Sequence, residues 1–130
     1  MKINIPLYLP TTFKVKKKNF AILNLNEYRN WHYLTNNKIK KAFKEYLRED
    51  LQGKTFDTPY WLHMTVYYKR LSDLDNWITV VTKFFNDSLV DYWCVPDDNM
   101  NYYTSLQCNV WWKDTENPRV EISIVKWNNK

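Results

Sequence analysis

The stretch Trp61–Tyr92, WLHMTVYYKRLSDLDNWITVVTKFFNDSLVDY, changes its hydrophobic period part-way along. Trp61 to Lys69 is β-branched and aromatic. As a strand it sets Leu62, Met64, Val66 and Tyr68 on one face and Trp61, His63, Thr65 and Tyr67 on the other. From Asp75 to Tyr92 the period is helical, and Trp77, Val80, Val81, Phe84, Phe85, Ser88 and Leu89 form one stripe. Outward toward the N-terminus, Asn36 to Leu51 predicts a second amphipathic helix. Its stripe is Ile39, Ala42, Phe43, Tyr46 and Leu47, with Thr35 or Asn36 as cap and Gly53 just past its end. Lys2 to Leu9, with Pro6, reads as an edge strand or extended arm, and Phe20 to Leu25 as a short buried strand. Toward the C-terminus, Tyr102 to Trp112 and Arg119 to Trp127 read as strands, with Asp114-Thr115-Glu116-Asn117-Pro118 as a hairpin turn between them. The expected fold is a single α+β domain over residues 1–130. It has a mixed, largely antiparallel sheet with two main helices packed on one side.

Composition narrows the chemistry. Gly53 is the one glycine of the 130 residues. A Walker A loop, a dinucleotide fingerprint and a nucleophile elbow all need several, so these are excluded. Two histidines and two cysteines cannot build the usual closely spaced zinc site. Any metal is therefore a hard cation held by oxygen, Mg²⁺ or Mn²⁺. Cys94 and Cys108 read as buried free thiols of a cytosolic protein. No apolar run is long enough to span a bilayer, and the N-terminus lacks the pattern of a signal peptide.

The chain has 19 Lys+Arg against 14 Asp+Glu, a formal charge of +5, which favours an anionic partner. The cations cluster. Lys14, Lys16, Lys17 and Lys18 sit in a loop or hairpin between two strands, and Lys38, Lys40, Lys41, Lys44 and Arg48 line the outer face of the first helix. Either group is a solvated surface or a set of phosphate contacts.

The densest acidic cluster is Asp73-Leu74-Asp75-Asn76, at the mouth of the second helix, where aspartate is also the natural cap. Asp75, Thr79, Lys83 and Asp87 then recur every four residues along one face. Asp97 and Asp98 follow in the turn after the helix. Carboxylates with a lysine suit metal-assisted hydrolysis of a phosphodiester, in which the cation polarises the phosphate and activates water.

This ordered set resembles the RusA-type Holliday-junction resolvases of phages and prophages. The likeness rests on Asp73-Leu74-Asp75-Asn76, Lys83 with Asp87-Ser88-Leu89, Pro96-Asp97-Asp98 and Arg119-Val120-Glu121-Ile122, together with Leu25-Asn26-Glu27-Tyr28-Arg29 before a basic helix. The resemblance implies a homodimeric endonuclease that cuts four-way DNA junctions symmetrically with Mg²⁺ or Mn²⁺, in the cytoplasm of a bacterial host. It implies Asp73, Asp75, Asp98 and Lys83 as catalytic residues, with Asp73, Asp75, Asp97 and Asp98 on the metal. Lys14, Lys16, Lys17, Lys18, Arg29, Lys38, Lys41 and Arg70 would hold DNA, with Phe13, Trp31 and Tyr33 as wedges at the crossover. One departure is visible: the lysine follows Asp75 by two helical turns, and Thr79 occupies the nearer position. The alternative implied is a protein of the same fold that binds branched DNA or a host protein without cutting.

Overall fold

The computed structural model describes residues 1–128. The strand expected at Trp61 forms as β4 (Tyr60–Tyr68), and alternation decides its two sides. Tyr60, Leu62, Met64 and Val66 are buried, while the residues between them are half-exposed. β4 lies between β6 (Arg119–Lys126), which pairs with it antiparallel, and β5 (Tyr103–Lys113), which pairs with it parallel. β1 (Lys2–Pro6) adds to the far side of β6, antiparallel, so the sheet order is β1-β6-β4-β5. β2 (Tyr8–Val15) and β3 (Lys18–Ile22) form a separate two-stranded hairpin.

The helices are α1 (Leu25–Asn30), α2 (Tyr33–Tyr46), α3 (Arg48–Leu51) and α4 (Leu74–Asp91). α4 buries the expected stripe, Trp77, Val80, Val81, Phe84, Phe85 and Leu89, against one side of the sheet. α2 and α3 add Ile39, Phe43, Leu47 and Leu51 to the same core, and β1 and β6 add Ile3, Ile5, Val120 and Ile122. Phe43 and Phe84 meet edge-on at 5.5 Å between centroids, which locks α2 to α4. The α+β class, the mixed sheet and the one-sided helices are thus as expected. Among the described residues, no helix is long and apolar enough to cross a membrane.

Three expectations need correction. β5 and β6 are not a hairpin, because β4 lies between them, and the connection through Asp114–Pro118 passes the end of β4, where Asp114 N–H donates to the Tyr68 carbonyl at 2.7 Å. The α4 crossover brings β5 back parallel to β4, and strand alternation alone does not reveal which strands are neighbours. The first long helix starts earlier, with His32 as its cap (Nδ1 accepts from Leu34 N–H at 3.2 Å), and it breaks at Leu47 into α3. The strand expected over Phe20–Leu25 runs Lys18–Ile22, because Asn24 caps α1 by accepting from Glu27 N–H. The other expected strands and the second helix agree within a few residues, while β2 and the short helix α1 lie outside the elements expected from the sequence. Gly53 ends the helical run at φ +79°, open to glycine at no steric cost.

Candidate functional site

α4 carries the site. Its solvent side is the row read from the sequence: Asp75, Thr79 and Lys83 are exposed, and Asp87 is half-buried. The apolar stripe faces the sheet, so helical geometry turns this row outward. Asp73 occupies the N-cap position, yet its side chain makes no capping hydrogen bond. Asn76 has the structural task in that motif. Its Oδ1 accepts from Asn26 N–H at 3.2 Å and its Nδ2 donates to Ser72 Oγ at 2.8 Å, tying α1 to the start of α4. Asp73 and Asp75 are left facing an opening of about 420 Å³ that Arg29 and Asn26 also line.

Asp97 and Asp98 lie elsewhere. The loop after α4 folds Asp98 against the C-terminal half of the helix, where it shares a cleft of about 290 Å³ with Asp87, Asp91, Lys40 and Lys44. Burial, then the neighbouring charges of Asp87 and Asp97, push the Asp98 carboxyl above the usual carboxylate range. Asp97 acts as a turn residue, accepting from Asp98 N–H at 2.7 Å and from Asn99 Nδ2 at 3.0 Å. Buried Tyr60 donates to Asn86 Oδ1 at 2.8 Å and stacks on Tyr103 at 5.3 Å. Burial raises the Tyr60 phenol, with Asp98 as the next contributor, so this tyrosine stays protonated.

The carboxylates expected to share one metal therefore fall into two half-sites. Asp75 and Asp87 are twelve residues apart on a rigid helix, roughly 18 Å along its axis. Among the described residues, no three His, Cys, Asp or Glu side chains are placed to hold a metal ion together. This corrects the expectation that Asp73, Asp75, Asp97 and Asp98 converge within one chain. The chain returns to β5 from the far end of α4, so Asp98 cannot reach Asp75. Lys83 stands between the half-sites. It makes no ion pair with Asp87 or with any other described carboxylate.

The basic surface is also divided. Val15 and Lys18 flank a two-residue turn at Lys16–Lys17, both at positive φ, with Lys14 one residue before it, and Lys16 pairs with Glu27 at 2.8 Å. Lys38 lies over the Phe13 ring at 5.9 Å, and Lys38 and Lys41 line a shallow groove with Phe13 and Thr12. The hairpin and α2 thus share one cationic surface. Arg29 belongs to the Asp73 and Asp75 opening, and Arg70 is exposed just before α4. Lys44 of α2 pairs with Asp91 at 3.8 Å, and Arg48 of α3 grips Glu45 through two nitrogens. Lys40 and Lys44 in the acidic cleft were hidden in the sequence as part of a solvated face. Their one signal was spacing, since Lys40 and Lys44 match Asp87 and Asp91 in their four-residue interval. Trp31 is buried and cannot wedge between bases, whereas Tyr33 is 68% exposed.

No protein-family model matches this chain, and no curated protein matches it by sequence.

Proposed function

We propose that the chain is a metal-dependent endonuclease that resolves four-way DNA junctions as a homodimer, as its likeness to the RusA-type resolvases implies. One observation carries the reading. The outward row of α4 presents Asp75, Lys83 and Asp87, with Asp73 at its mouth and Asp98 folded against its far end, and packing uses none of these carboxylates. The donors are all hard oxygens, which suits Mg²⁺ or Mn²⁺, and the crowding of Asp98 by Asp87 and Asp97 is relieved by a cation. In the proposed homodimer the Asp73–Asp75 pair of one copy would meet the Asp87–Asp98 pair of another and complete the donor set. A divalent ion held by these carboxylates would supply Lewis-acid chemistry to a phosphate and a bound water. Lys83, which pairs with no described carboxylate and lies one turn from Asp87, would offset negative charge building on the phosphate. Lys14, Lys17, Lys18, Lys38 and Lys41 hold the arms by sequence-independent phosphate contacts, with Arg29 and Arg70 nearer the acidic residues. In this reading the enzyme works in the cytoplasm of a bacterial host.

The test is cleavage of a synthetic four-way junction in Mg²⁺. Wild type gives paired, symmetric nicks, and Asp75→Asn gives none. Equal cutting by the two proteins rejects the assignment. The separation of the carboxylates, with Asp73 and Asp75 on one opening and Asp87 and Asp98 on another, favours a second reading, a non-cutting binder of branched DNA or of a host protein. Junction binding in EDTA, with no cutting after Mg²⁺ is added, selects that reading.

A further inference from the structure

We propose that the free edge of β5 is a two-fold interface, through which two copies of this chain pair antiparallel and join their sheets. It deepens the homodimer of the nuclease reading and rests on that reading for two-fold symmetry alone; the chemistry of the carboxylates plays no part.

β5 is the outermost strand in the order β1-β6-β4-β5 and is eleven residues long. The opposite edge, β1, has five residues and carries Lys2 and Pro6, features that keep an edge from pairing. From Thr104 to Trp112, β5 has no charge, no proline and no glycine. Leu106, Val110, Trp111 and Trp112 are 38%, 52%, 68% and 72% exposed. An uncharged edge of this length, bearing apolar side chains, is a pairing surface unless something covers it.

Self-complementarity selects a second copy as the occupant. A two-fold axis at Cys108, the middle of the strand, sets each Leu106 beside Val110 of the partner subunit. Lys113 is the strand's one charge and lies at its C-terminal end, while the acidic turn Asp97–Asp98 leads into its N-terminal end. Antiparallel pairing points each Lys113 toward the other copy's acidic turn. The exposed apolar side chains match in the same way: Leu71, 86% exposed, lines a small cavity with Val110, and Met100, 91% exposed, precedes Tyr103. The two-fold brings the Leu71 end of one copy to the Met100 end of the other. The chain as a whole has a net charge of +5 and repels its own copy, so an uncharged edge is the favourable place to meet.

The test is the mass of the full chain in solution by sedimentation equilibrium. Wild type is expected at twice the 16.0 kDa of one chain. The double variant Leu106→Lys/Val110→Lys changes two positions that are already exposed and sets like charges across the axis. Its dimer dissociation constant is expected to rise by at least about tenfold. Should that variant misfold, Gln107→Cys/Asn109→Cys decides: both positions are exposed and polar, and mild oxidation is expected to link two chains. A monomeric wild type, a dimer unaffected by the two lysines, or no cross-link overturns the proposal. A dimer that never cuts DNA fails the nuclease reading and leaves the interface standing; a monomer that cuts does the reverse.

Discussion

Asp98 is half-buried, and burial together with Asp87 and Asp97 holds its carboxyl above the usual carboxylate range. The sign of the linkage follows. Below the unfolded pKa, about 3.9, the group is neutral in both states and costs nothing. As pH rises through the raised folded value, the ionised carboxylate destabilises the fold. Asp98→Asn removes that loss, so its urea midpoint is expected to equal or exceed that of wild type at neutral pH and to match it in acid. Added Mg²⁺ is expected to stabilise wild type more than the variant. A variant clearly weaker than wild type at neutral pH rejects this account. Asp75→Asn is expected to leave the thermal midpoint unchanged, since that carboxylate is exposed and unpaired, while cleavage falls by about a hundredfold or more. At this scale the sequence was legible in part. Asp73 could be read as a cap or as a ligand, and in the fold it takes the N-cap position without a capping side-chain bond.

α4 illustrates what periodicity resolves. Its inner stripe and outer row were both visible in the spacing, because residues three and four apart share a face whatever surrounds them. Phe84 touches Tyr28, Trp31 and Phe43, so Phe84→Ala is expected to cost about 3–5 kcal/mol in denaturant unfolding. The β2–β3 turn shows a different balance. Lys17 holds φ +65°, a conformation that disfavours side chains, at the tip of the cationic hairpin. Lys17→Gly is expected to raise stability by up to about 1 kcal/mol and to weaken junction binding with a shallower salt dependence. Equal affinity and an unchanged salt slope would show that the hairpin lies off the DNA. The misread β5–β6 hairpin belongs to this scale too. Both strands were recognised, but a short polar connection looks the same whether it turns between neighbours or passes a third strand.

Across the whole molecule, the two half-sites on α4 make subunit mixing informative. In a mixed dimer of Asp75→Asn and Asp98→Asn chains, one composite site carries both substitutions and the other carries neither. Mixing two inactive proteins is therefore expected to restore junction cutting, seen as single nicks in place of paired ones. No restoration would place each site within one chain. In the proposed reading, a two-fold axis would supply two equivalent sites to a junction of near two-fold symmetry.

The sequence alone determined what depends on near neighbours: the α+β class, the helix and strand faces and the outward acidic row. Side-chain periods of two and 3.6 are local geometry, so they survive without knowledge of the rest of the chain. The tertiary structure decided what depends on where the chain returns. It placed β4 between β5 and β6, moved Asp98 to the far end of α4, drew Lys40 and Lys44 into the acidic cleft and left β5 as a bare edge. Those outcomes follow from how α4 and the strands close over one core, and residues far apart in sequence meet only through that closure.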